Sequence, residues 1–172
     1  ADVISKITNA RLFLEEAASA LNIQKEESPK ILHIATHSFY IGDNKNDNLI
    51  SENIFANPIV NNKRIENPLL RSGIVLAGAN YPYKNSNDDG YLTALEVSKL
   101  NWNGTELVVV SGCESGQGDL QSGEGVYGLK RAITVAGARS SLLSLWKVDD
   151  KATAEFMESF YLKLKSGESR AN

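Results

Sequence analysis

Cysteine occurs once in the 172 residues, at Cys113. No disulfide can close within the chain, and the thiol is free for other chemistry. A lone thiol fits a reducing compartment, which makes the cytoplasm the expected location. No apolar run approaches the roughly 20 residues that a membrane span needs. The segment after Ala1 has neither the charged region nor the apolar region of a secretory leader. A start at Ala1 rather than Met reads as a piece of a longer chain, and a leader further upstream stays open. Asn103-Gly104-Thr105 matches the N-glycosylation triplet; with no sign of secretion it reads as chance. Basic residues are outnumbered, 18 Lys and Arg against 21 Asp and Glu, for a net charge of -3. They are scattered, so no electrostatic footprint for nucleic acid is present. What remains is one domain by length. Its hydrophobic fraction of 42% is enough for a buried core.

The order of local patterns sets the expected fold class. No repeat and no low-complexity tract interrupts it. Residues 2–9 and 16–23 read as helical. Residues 11–14 between them fit either a helical continuation or a short strand. The apolar, partly β-branched run 31–36 predicts a buried strand. Residues 40–68, rich in Asn and holding Gly42, Pro58 and Pro68, read as loop. Residues 73–79 predict a second strand and 80–90 a turn-rich loop. Residues 93–100 predict a helix, with Thr93 as N-cap and Glu96 as capping-box partner. The clearest strand is 106–111, followed by a glycine-rich loop over 112–123. A helix over 125–136 closes near Gly137. A strand over 139–146 and an amphipathic helix over 150–164 complete the chain. This alternation predicts an α/β domain with a mostly parallel sheet flanked by helices. Ligands in such sheets bind beyond the carboxyl ends of the strands.

Two of these strands end in chemically useful residues. One runs into His37 and the other stops just before Cys113. If the two are parallel neighbours, both side chains reach the same rim. A free thiol has a pKa near 8.5 and is mostly protonated at neutral pH. A nearby imidazole supplies the base, and the same ring can then protonate a leaving amine. Gly112, Gly116 and Gly118 let backbone approach backbone around the thiol. A loop opening after a strand can also aim N–H groups at an oxyanion. A lone cysteine after a strand is more often a buried small hydrophobe, and spacing alone favours that alternative.

Two motifs invite other functions. His33 and His37 make an H-x-x-x-H pair, which on a helix suggests metal ligands. On a strand the two lie roughly 13 Å apart, too far to share an ion, so no metal is expected and His33 reads as a core histidine. Gly123-Glu-Gly125-Val-Tyr-Gly128 matches G-x-G-x-x-G and opens a helix. A dinucleotide site needs those glycines directly after a strand, whereas about a dozen residues intervene here. The glycines read instead as allowing close helix–sheet packing.

At these residues a family likeness appears. Residues 31–37, Ile-Leu-His-Ile-Ala-Thr-His, resemble the "LHFATHG" segment of CHAT domains, caspase-like domains often attached to tetratricopeptide repeats. Residues 107–116 look like that family's "LVVLSACETG". Residues 89–96, 123–132 and 144–150 are similar to three further blocks, in the family's order. The resemblance spans about residues 11–162. It implies a caspase/separase-type fold over a single domain, residues 1–172. It makes residues 11–14 a short strand and 73–79 a hairpin strand between the His and Cys strands. It carries His37 over as catalytic histidine and Cys113 as nucleophile, with the backbone N–H groups of Cys113 and Ser38 as oxyanion donors. Ser38 departs from the family, which has Gly there. CHAT domains also begin with an earlier strand and run on past a position such as Asn172. The chain is therefore expected to be a partial domain lacking the first strand and the C-terminal strands, with an exposed sheet edge.

The implied function is a cysteine endopeptidase that cuts a protein or peptide substrate with a His-Cys dyad, in a bacterial signalling or defence protein. No cofactor is required. A sensor or tetratricopeptide region elsewhere in the full-length protein would regulate it. Candidate pocket residues are Glu114, Asp119, Trp146 and Asp149, with Glu124 and Asp150 on neighbouring segments. An acid there would favour cleavage after Lys or Arg; each acid alone reads as a solvated loop residue, and Trp146 equally as core. The alternatives are a catalytically silent scaffold that binds a peptide or protein partner, and a nucleotide-binding domain.

Overall fold

A computed structural model of the chain describes residues 1–40, 67–80, 88–111, 124–144 and 149–169. Helices α1 (Asp2–Thr8) and α2 (Ala20–Gln24) precede strands β1 (Ile31–Ile34) and β2 (Ser38–Tyr40). Strands β3 (Ser72–Val75) and β4 (Tyr91–Thr93) follow, and β4 runs straight into α3 (Ala94–Val97). Then come β5 (Leu107–Val110), α4 (Glu124–Val135), β6 (Ser141–Leu143) and α5 (Asp150–Lys165).

The architecture is mixed α/β, with two three-stranded sheets. One is parallel, in the order β1-β5-β6, and the other antiparallel, in the order β2-β3-β4. The Leu-Val-Val-Val run of β5 explains the first. All four residues are buried, as a central parallel strand covered on both faces requires. Val108 and Val110 face a core with Leu32, Ile34, Trp102, Leu129 and Ile133. Leu107 and Val109 face a smaller core with Ile4, Ile31, Met157 and Tyr161, contributed by α1, β1 and α5. The period-2 alternation of β5 thus serves two helical layers at once.

The antiparallel sheet extends the larger core through Ile74 and Leu92. Helix α4 crosses onto it at Gly128. A Cβ on Gly128 would stand 2.7 Å from Ser72 Oγ, so the helix approaches β3 closely because that position has no side chain. The third glycine of the G-x-G-x-x-G match therefore has the packing role expected of it. Helix α4 ends with Gly137 N–H donating to Thr134 and Ala138 N–H to Ile133, the paired bonds of a Schellman cap.

Several local expectations are corrected. Residues 11–14 form no strand. Leu14 is extended, with φ -129 and ψ 161, but no ladder partner stands beside it among the described residues. Arg11 instead pairs with Glu26 and lies over the Phe13 ring, 4.9 Å from its centroid. The single helix over 16–23 is split into a 3-10 turn, Glu15–Ala17, and α2. The break falls where Ser19 turns extended and its hydroxyl accepts from Asn22 N–H. Such side-chain capping competes with continued helix. Strands β2 and β4 are additions, each only three residues long. The strand over 73–79 and the helix over 93–100 are shorter than expected, and of 139–144, the described part of the strand expected over 139–146, only Ser141–Leu143 is strand. The capping box itself holds: Thr93 Oγ1 accepts from Glu96 N–H, and the Glu96 carboxylate accepts from Thr93 N–H at 2.8 Å. Replacing Thr93 by alanine is expected to cost about 0.5–2 kcal/mol. The check is a lowered urea midpoint at unchanged m-value.

Candidate functional site

The parallel pairing defines the rim. Ile31 pairs with Leu107, and the register runs on to Ile34 beside Val110. Ser111 N–H then donates to the Ile34 carbonyl at 2.9 Å. In sequence, His37 stands three residues past Ile34 and Cys113 three residues past Val110. Cys113 itself lies outside the described residues, as do Glu114, Asp119 and Trp146.

His37 occupies the junction of the two sheets, where the chain leaves β1 and enters β2. Its carbonyl accepts from Val75 N–H at 2.8 Å. The hydroxyl of Thr36 donates to the Val75 carbonyl at 2.6 Å. Two bonds to one residue of β3 thus fix the backbone on either side of the imidazole. The His37 side chain is exposed.

The Val75–His37 bond also orients Ser38. It makes Ser38 and its partner Ile74 a non-hydrogen-bonded pair, in which each residue's N–H turns away from the partner strand. Ser38 N–H is therefore directed to the side of β2 opposite β3. Ser38 does not have a positive φ, so serine takes the place of the family glycine without strain.

His33 lies four residues before His37, on the α5 side of β1. Its Nε2 is 2.6 Å from Ser111 Oγ, and its ring stacks on Tyr161, with centroids 5.5 Å apart. It is a half-buried histidine packed against the smaller core, bonded to Ser111 and stacked on Tyr161. Burial, and secondly the positive charge of the chain's first amino group, lower its pKa from 6.5 to about 4. Tyr161, pushed up to about 12 by burial, stays neutral beside it. The unfolded chain takes up a proton at His33 near pH 6.5, the folded chain only near 4. Between those values the unfolded state holds more protons, so stability falls as pH falls. Above 6.5 the ring is neutral in both states and adds no slope. In His33→Gln, the loss of urea stability between pH 6.5 and 4 is expected to be shallower than in wild type by up to ~1.4 kcal/mol per pH unit.

Asp149 is exposed and caps α5: its carboxylate accepts from Ala152 N–H at 2.9 Å. That engagement was readable from its place just before an amphipathic run. Asp150 is the first residue of α5 and Glu124 the first of α4. No group of His, Cys, Asp or Glu suited to hold a metal ion occurs among the described residues. No helix of the described residues is long and apolar enough to cross a membrane.

These features define an α/β domain with a parallel sheet flanked by helices and a histidine braced at its carboxyl rim. A family model, the CHAT domain, matches residues 1–172, and the chain belongs to that family, whose fold is caspase-like. No curated protein and no solved structure matches it.

Proposed function

We propose that the chain is a caspase-like cysteine endopeptidase with Cys113 as nucleophile and His37 as its base and acid. The observation that carries this reading is the β1–β5 register, which stops at Ile34 and Val110. In sequence, His37 follows Ile34 and Cys113 follows Val110 by three positions each. Cys113 is two residues past Ser111, at most about 7 Å along an extended chain, and Ser111 is itself bonded to Ile34. This short reach from a residue bonded to β1 supports the pairing of Cys113 with His37.

In this mechanism Sγ attacks the scissile carbonyl, forming the S–C bond while the thiol proton passes to His37. The oxyanion is held by the N–H groups of Cys113 and Ser38, the latter turned away from the β2–β3 ladder. Collapse breaks the C–N bond, and His37 returns the proton to the leaving amine. Water, deprotonated by His37, then cleaves the thioester and restores the thiol. Acids on the segments after β5 and β6, among them Glu114 and Asp119, would favour Lys or Arg at the cleaved position. A sensor region elsewhere in the full-length protein would govern access.

The test is incubation with a lysine- or arginine-directed peptidyl chloromethyl ketone, with the adduct mapped by mass spectrometry. An adduct on Cys113 that forms much faster than on a free cysteine peptide is the expected result. A rate no faster than that peptide's would sink the enzyme reading in favour of a peptide-binding scaffold.

A further inference from the structure

We propose that His33 is a positioning residue for the Cys113 thiol, acting through Ser111; this rests on the peptidase reading above. Ser111 is the last described residue before the Gly112-Cys113 pair. It is tied to β1 twice. Its N–H donates to the Ile34 carbonyl at 2.9 Å, and its Oγ lies 2.6 Å from His33 Nε2. His33 pairs in register with Val109, so its ring leans forward along the strand, toward the rim, to reach a residue two places on.

The chemistry of the ring fits a fixed link. Nδ1 is buried and has no hydrogen-bond partner. A buried N–H without an acceptor costs more than a bare lone pair, so the proton belongs on Nε2, which donates to Ser111 Oγ. Stacking on Tyr161 holds the ring plane, and Tyr161 is itself fixed in the core with Met157 and Val109. The imidazole is therefore a rigid strut from α5, through β1, to the end of β5. A nucleophile must sit within a fraction of an ångström of its attack position, because a misplacement of about 1 Å can cost roughly a hundredfold in rate. Backbone pairing alone fixes Ser111 at one atom. The strut fixes it at a second, two residues before Cys113 in sequence.

The test compares Ser111→Ala, Ser111→Thr, His33→Leu and the Ser111→Ala/His33→Leu double variant in the full chain. The readouts are kcat and KM on a Lys/Arg peptide and the rate of Cys113 alkylation by iodoacetamide. Ser111→Ala and His33→Leu are each expected to lower kcat by at least about tenfold with KM nearly unchanged. The double variant should be no worse than the worse single, because both act through one bond. Ser111→Thr keeps the hydroxyl and should restore the rate, which a merely structural loss would not do. A folded Ser111→Ala with wild-type kcat, additive losses in the double variant, or no rescue by threonine overturns the proposal. If His33→Leu does not fold, the alanine–threonine pair at Ser111 decides alone. A wild-type thiol no more reactive than a free cysteine peptide removes the peptidase reading and this inference together. A reactive wild type matched by Ser111→Ala removes this inference only.

Discussion

His37→Ala is expected to slow Cys113 alkylation at pH 7 by about thirtyfold, and to slow peptide cleavage further, by about 10²–10⁴. The two numbers differ because the imidazole has two jobs. Alkylation needs only the thiolate. A thiol with an ordinary pKa near 8.5 is about 3% ionised at pH 7, so removing its proton acceptor costs at most the reciprocal of that fraction. Amide cleavage also needs a proton delivered to the leaving nitrogen, and nothing replaces His37 in that step. The pH dependence separates the cases. Alkylation of the variant should rise tenfold per pH unit up to about 8.5 and there approach wild type, whereas its cleavage rate should stay low throughout. The measurements are iodoacetamide kinetics followed by mass spectrometry and peptide hydrolysis, each from pH 5 to 9. Equal alkylation of variant and wild type at pH 7 would mean that the imidazole does not face the thiol. Because the His37 backbone is braced through its carbonyl and through Thr36, alanine there should leave the fold intact.

The sequence made some of this legible and left some hidden, for physical reasons. The Leu107–Val110 run is apolar at every position and β-branched at three of four, the pattern of a strand covered on both faces, so the strand was readable, while its parallel pairing with residues 31–34 was only a condition until the register showed it. The capping box at Thr93 and Glu96 was readable because its signal is a fixed spacing of specific side chains. Strands β2 and β4 were not. Three residues give too few alternations to show a period, and Thr93 ends β4 while capping α3. The break at Ser19 hid inside a run of helix-forming residues. The false strand at residues 11–14 shows the converse: Leu14 is extended, but a strand is defined by its partner. At the site, the rim position of His37 followed from its place just past a strand, on the condition that this strand pairs in parallel with β5, which the register supplies. The link from His33 to Ser111 did not, since the two are 78 residues apart in sequence and only register brings them together.

The antiparallel sheet braces His37 through Val75, and Gly90 is a tightly packed point of that sheet. Gly90 has φ +76, and a Cβ built on it would stand 2.0 Å from Ala79 N and 2.6 Å from the Gly78 carbonyl carbon. Both are backbone atoms of the turn that follows β3, so no side chain can swing aside. The Gly90 carbonyl also accepts from Leu76 N–H at 2.7 Å, beside the Val75–Tyr91 pair of β3 and β4. Gly90→Ala must therefore push this turn away from β4. The left-handed backbone costs an alanine roughly 1–2 kcal/mol, and overpacking adds about 1–3 kcal/mol. A loss of about 2–5 kcal/mol is expected, a large share of the stability of a domain this size. Gly104→Ala is the control: its φ is +94, but nothing lies within 4 Å of the added carbon, so only the backbone cost of roughly 1–2 kcal/mol applies. Urea unfolding of the two variants separates clash from conformation, and equal losses would refute the clash. Val75 anchors His37, so Gly90→Ala is also expected to speed amide hydrogen exchange at Val75 and to lower the reactivity of Cys113. Gly104→Ala, in the turn between Trp102 and Thr105, should leave both unchanged. A variant that loses the stability but keeps Cys113 fully reactive would show that the thiol and its base are aligned by the parallel sheet alone.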